Sequence, residues 1–221
     1  MRIRHKPWAR PELAACGFFV ENPADYRGCW EKAFPKRQPI WMELGCGKGG
    51  FIARLAAEHP EINFLVLDIK SEMLALARRN LSALDPNPAA HVRLMSQDIE
   101  RIHLMMALPD EVERIYINFC NPWPKAHDQK HRLTHTRQLL QYREILKDGG
   151  EIWFRTDDDG LFEDSLGYFE QSGFRMRCMT RDLAESHLYA GPPTEHETMF
   201  QQLGKTIKFL VAVKEPLPGK P

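Results

Sequence analysis

The chain has no C-x-x-C pair, no long apolar run, no internal repeat, no low-complexity segment and no net charge. Each absence excludes something. Cys16, Cys29, Cys46, Cys120 and Cys178 are odd in number and lack a pairing pattern. They argue for reduced thiols in a cytoplasmic protein rather than a disulfide scaffold. Thirty basic and thirty acidic residues cancel, so net charge by itself points to no polyanion. No apolar stretch approaches bilayer-spanning length, and no membrane association is expected. Residues 13–20 are mildly apolar after a basic start, but Pro11, Glu12 and the brevity of the run argue against a secretory segment. What is present is ordinary for a soluble globular protein: 221 residues, 43% hydrophobic and 27% charged, enough for one domain with a substantial core.

The charge is unevenly placed. Arg2, Arg4, Lys6 and Arg10 occur in the first ten residues without an acid. Lys125, Lys130, Arg132, Arg137, Arg143 and Lys147 stand against only Asp128 and Glu144 between 122 and 147. These two segments suit a polyanion footprint; solvated surface charge is the competing reading.

Strand-like and helix-like segments alternate. The pattern predicts helices over 22–34, 49–58, 71–84, 136–147 and 161–171, with a short one after Asp98. It predicts strands over 40–44, 62–67, 92–95, 112–119, 151–156, 174–180 and 206–213, with breaks at 85–88 and 148–150. This rhythm implies an α/β domain with a seven-stranded, mostly parallel sheet and helices on both faces. The expected organisation is a basic arm over 1–22, one domain over 23–215 and a tail over 216–221.

Gly45-Cys46-Gly47-Lys48-Gly49-Gly50 follows a strand and opens a helix. Glycines suit such a turn because it uses positive φ and lets a ligand approach the backbone. Glu43, two residues before the first glycine, would repel a pyrophosphate but suits the ammonium and sulfonium groups of S-adenosylmethionine. Asp68 ends the next strand, where it can accept from ribose hydroxyls. Asp98 ends the third, placed for an adenine amino group with Ile99 beside the ring. Taken singly, each acid could be a helix cap or turn residue. Together they favour methyl transfer over hydride transfer by a nicotinamide enzyme.

The fourth strand runs into Asn118-Phe119-Cys120-Asn121-Pro122-Trp123-Pro124-Lys125. Open α/β sheets bind ligands at such strand ends. Asn121 can hydrogen-bond a nucleobase edge, Pro122 stiffens the turn, and Trp123 offers a stacking plate or wedge. A structural turn with Trp123 in the core is the alternative. His127, His131 and His135 lie four apart, a spacing that would align metal ligands on one helix. No carboxylate or cysteine completes the set and Lys130 and Arg132 oppose a cation, so no metal is expected. A phosphate-facing basic segment fits better, with Lys130 and Arg132 at an RNA backbone.

Several motifs are shared with one family: Lys6-Pro7-Trp8-Ala9-Arg10, Glu43-Leu44-Gly45-Cys46-Gly47-Lys48-Gly49, Pro122-Trp123-Pro124-Lys125, Arg132-Leu133-Thr134, Arg155-Thr156-Asp157 and Thr194-Glu195-His196-Glu197. With these, the chain resembles the bacterial tRNA (guanine-N7-)-methyltransferases almost end to end. The resemblance implies a Rossmann-like class I methyltransferase domain that methylates N7 of a variable-loop guanosine in tRNA, as a monomer or homodimer. It implies S-adenosylmethionine held by Glu43, Gly45, Gly47, Asp68, Asp98 and Ile99, with Asn121 at the cofactor–guanine junction as the catalytic position. Lys125, Asp157, Thr194, Glu195, His196 and Glu197 would hold the substrate. The family usually carries Asp at the position of Asn121, Lys at Arg155 and an aromatic at His196. The alternatives are an amino-group methyltransferase acting on adenine or glutamine, and a catalytically silent tRNA-binding protein.

Overall fold

The computed structural model describes residues 6–216. Arg2, Arg4 and residues 217–221 of the expected tail lie outside the described residues. Two units divide the chain, Met1–Asp110 and Glu111–Pro221.

The first unit contains α1 (Ala9–Ala14), β1 (Phe19–Val20), β2 (Ile40–Leu44), α2 (Gly50–Glu58), β3 (Asn63–Asp68), α3 (Ser71–Leu84) and β4 (Val92–Ser96). Its strands run in the order β1-β4-β3-β2, with β1 and β4, β4 and β3, and β3 and β2 paired in parallel. All residues of β2 and β3 are buried, which is why both read as continuous apolar runs rather than alternating ones. Within the expected basic arm, Ala9–Ala14 form α1 and Phe19–Val20 form β1. Ala9 and Leu13 are buried, and Glu12 meets Arg78 and Arg79 of α3 at 3.1 and 2.6 Å.

One expected helix does not form. Residues 22–34 make two 3-10 turns, Pro23–Tyr26 and Trp30–Ala33. Gly28 interrupts them at φ +79°, and the buried Asp110 carboxylate accepts from Gly28, Trp30 and Ala107 backbone N–H groups at 2.6, 2.9 and 3.1 Å. The segment is shaped by a partner about eighty residues away, so local periodicity could not show it.

The glycines of the first turn have different duties. Gly45, Gly47 and Gly49 all have positive φ, but a Cβ on Gly45 or Gly47 would meet nothing within 4 Å. One on Gly49 would lie 2.5 Å from the Ala77 Cβ and 2.8 Å from its Cα, because α2 starts where it presses on α3. Gly49→Ala is therefore expected to cost about 3 kcal/mol from overpacking and left-handed backbone strain. Chemical denaturation checks it, since an unchanged midpoint would contradict the close approach.

The second unit contains β5 (Val112–Asn118), α4 (Thr136–Ile145), β6 (Leu146–Thr156), α5 (Asp159–Gln171), β7 (Phe174–Thr180), α6 (Leu183–Ser186), α7 (Glu195–Gln202) and β8 (Lys208–Lys214). Its strand order is β5-β6-β8-β7, with β5 and β6 parallel and β8 antiparallel to both neighbours. The strands of the described residues number eight rather than seven; the two-residue β1 is too short to carry a periodic signal. The expected turn at 148–150 is absorbed as an irregularity in β6, with Gly149 at φ +77°.

Candidate active site

In the first unit, Glu43 lies near the carboxyl end of β2 and is only 2% exposed. The turn that follows is anchored by Gly45 and Cys46 N–H groups, both donating to the Leu67 carbonyl at 2.9 Å. Asp68 closes it. One carboxylate oxygen accepts from Gly47 N–H at 2.9 Å and the other from Lys70 N–H at 2.8 Å. Burial raises the Asp68 carboxyl above its ordinary value, against the lowering effect of those backbone N–H groups. Burial, with Glu43 and Asp68 nearby, also pushes the Cys46 thiol well up, so no thiolate forms there. Asp98 caps the 3-10 turn Ile99–Leu104 by accepting from Glu100 N–H at 3.1 Å, and its side chain is partly exposed. The short helix expected after Asp98 forms as this 3-10 segment.

The carboxyl edge of this unit also carries a pocket of about 300 Å³ lined by residues including Lys6, Arg10, Ile69, Lys70 and Glu72. Ile69, directly after Asp68, is 58% exposed. The Gly45–Gly47 backbone lies open beside two acids, a donor set suited to a small cationic ligand with adjacent hydroxyls.

In the second unit, β5 delivers Asn118 and then bends sharply. Phe119 (φ +51°) and Trp123 (φ +44°) bracket Asn121 and are two of the three non-glycine residues with positive φ among the described residues. Such conformations persist where the surroundings over-determine them, and they gather at functional sites. Asn121 is exposed, and its Oδ1 accepts from Trp123 N–H at 3.2 Å. The Cys120 thiol is pushed up to about 12 by burial, which removes it as a nucleophile.

Arg132, expected at an RNA backbone, is placed otherwise. Its side chain is 4% exposed, with Nε donating to the Pro122 carbonyl at 2.7 Å and Nη1 to Asp164 at 2.6 Å. It stiffens the Asn-Pro-Trp turn from behind. Lys125 and Lys130 are exposed at the ends of the adjoining 3-10 turn, Ala126–His131. The three spaced histidines share no helix face: His127 meets Asp128, His131 packs on Trp123, and His135 caps α4 by accepting from Arg137 N–H.

Thr194 caps α7 through Oγ1, which accepts from Glu197 N–H at 2.9 Å. Glu195 and His196 are exposed, whereas Glu197 is buried and paired with Arg155 at 2.8 Å. His196 stacks on Phe119 with centroids 5.8 Å apart, and Phe200 lies 5.7 Å from Phe119. Lys205 sits over Phe200 and pairs with Asp157 at 2.9 Å. The structure thus gathers Asp157, Thr194, His196 and Glu197 into one linked cluster, with Lys125 and Lys130 on a separate turn. Sequence reasoning gave no part to Asn118, Phe200 or Lys205. The Thr194-x-x-Glu197 spacing of a capping box was the available signal for α7.

A family described as "Putative methyltransferase" matches residues 37–210. A Ruminiclostridium cellulolyticum protein named tRNA (guanine-N(7)-)-methyltransferase is 53% identical over 216 residues, covering 96% of this chain and 92% of its own. The chain belongs to the tRNA (guanine-N7-)-methyltransferase family. A Clostridium beijerinckii member of that family is 52% identical, covering 97% of this chain and 100% of its own. The solved 16S rRNA methyltransferase KamB superposes with a TM-score of 0.61 at 11% identity, covering 85% of this chain and 93% of its own. That likeness establishes the Rossmann-like α/β fold of class I methyltransferases. No helix among the described residues is long and apolar enough to cross a membrane.

Proposed function

We propose that the chain transfers the methyl group of S-adenosylmethionine to N7 of a variable-loop guanosine in tRNA, and that Asn121 stands at the junction of donor and base. The observation that carries the donor assignment is the glycine turn: open space over Gly45 and Gly47, with Asp68 closing it and Glu43 buried beside it. The acceptor follows from family membership. Asp68 would accept from the ribose hydroxyls, Glu43 would face the ammonium end, and Asp98 with Ile99 would border the adenine. The donor supplies an electrophilic methyl on a positively charged sulfur.

Guanine N7 carries an in-plane lone pair and no proton, so its attack needs no general base. The Cys46 and Cys120 thiols, both pushed up by desolvation, supply no thiolate nucleophile. Positioning can then supply much of the rate, on the order of 7–11 kcal/mol for well-oriented partners. In the Asn121 turn the side-chain oxygen is engaged by Trp123 N–H. The amide NH₂ is left to donate to guanine O6, beside N7 but not on it. The product ring gains positive charge, which nearby carboxylates stabilise. Glu197 is neutralised by Arg155 and Asp157 is met by Lys205; Glu195 keeps that role.

Labelled methyl transfer to tRNA, followed by nucleoside analysis, tests the reading: 7-methylguanosine is expected. A methylated adenine, a methylated protein or no product would each overturn it. Binding is also expected to be salt-sensitive. Lys125→Ala and Lys130→Ala should each flatten the log–log salt dependence of tRNA affinity by about 0.7–0.9. An unchanged slope in both would remove this turn from the RNA interface.

A further inference from the structure

We infer that Arg155 is a positioning residue of the acceptor side, and that Glu197 is its counter-ion rather than a contact to substrate. The substrate rests on the reading above; the geometry rests on the second unit alone. The Arg155 side chain is 1% exposed and that of Glu197 10%, so both charges have left water. They meet at 2.8 Å through Nη1. The same Nη1 donates to the Pro192 carbonyl at 3.2 Å, and Nε donates to Asn118 Oδ1 at 2.9 Å. One guanidinium therefore joins the end of β5, the turn before α7, and the first turn of α7.

Glu197 is thereby committed. In a capping box its carboxylate would reach back to the Thr194 N–H; here it turns inward to the guanidinium, while Glu195 and His196 stay on the exposed side. Phe119, next to Asn118, stacks on His196. Holding Asn118 and Glu197 with one planar group therefore fixes the spacing between the strand-end ring and the helix ring. A lysine carries the charge but not the fork that reaches separate acceptors in fixed directions. Removing either partner leaves a buried charge uncompensated and frees α7 together with His196.

Steady-state kinetics with a tRNA transcript and labelled S-adenosylmethionine test this on Arg155→Met, Glu197→Gln, the double variant and Arg155→Lys. Each single neutralisation is expected to raise KM for tRNA about tenfold, within the range of coupling between contacting residues. The fall in kcat should be smaller, and KM for the donor should change little. The double variant should be no worse than the poorer single one, because both remove one interaction. Arg155→Lys should recover only part of what Arg155→Met loses, because it restores the charge beside Glu197 but not the fork that also holds Asn118 and Pro192. Multiplying losses in the double variant would mean that Glu197 touches substrate independently and would overturn the inference. So would an unchanged tRNA KM in Arg155→Met. Hydrogen exchange over residues 192–202 reads the clamp without catalysis, and Arg155→Met should expose this segment. Unchanged protection overturns the clamp even if the parent protein transfers no methyl to tRNA, an outcome that would refute the acceptor reading instead.

Discussion

Asn121→Ala is expected to lower the rate of 7-methylguanosine formation by about a hundredfold, the scale on which small misplacement of reacting groups acts. Two losses combine. The side-chain oxygen that fixes Trp123 N–H disappears, so a turn already holding two residues at positive φ loses a restraint. The donor aimed at guanine O6 goes with it. Asn121→Asp keeps an oxygen for the turn and adds negative charge beside a ring that becomes cationic, so it should stay within about tenfold of the parent, gained charge offsetting the lost donor. Initial rates at saturating donor and tRNA decide the matter. An alanine variant as fast as the parent would leave Asn121 with no part in the reaction.

Asp68→Asn is expected to weaken S-adenosylmethionine binding by at least about a hundredfold, since hydrogen bonds to a charged acceptor contribute roughly 1.5–3 kcal/mol each. The substitution also turns an NH₂ toward one of the two backbone N–H groups that Asp68 now accepts from. The pH dependence has a definite sign. Burial raises the Asp68 carboxyl, and a ligand that donates hydroxyls to it binds the ionised form. Donor affinity should therefore fall as pH drops through that raised range, with proton release on binding there. Calorimetry in two buffers of different ionisation enthalpy measures both. Affinity flat across the acid range, or intact in Asp68→Asn, would place the ribose elsewhere.

The glycine turn and the strand-end acids were legible because their positions follow from local order: strand, turn, helix. Glu43, Asp68 and Asp98 fall at strand ends whatever the packing around them. What the sequence hid depends on distant partners. The 22–34 segment is turned by Asp110, and the arm is folded by Glu12 against Arg78 and Arg79. Arg132 and Arg155 show the same limit from the chemical side. An arginine in a basic stretch reads as a ligand for phosphate, and one inside a family motif gives no sign of its partner. Only tertiary structure shows that Asp164 and Glu197 have already taken these two.

Methyl transfer by this reading depends on one atom, guanine N7, and a substrate that lacks it is decisive. A tRNA transcript carrying 7-deazaguanosine has a carbon in place of N7 while keeping the base-pairing edge. Incubated with the protein and labelled S-adenosylmethionine, it should accept no methyl group, while the guanosine transcript yields 7-methylguanosine. Transfer to the 7-deaza transcript at a comparable rate would contradict the account.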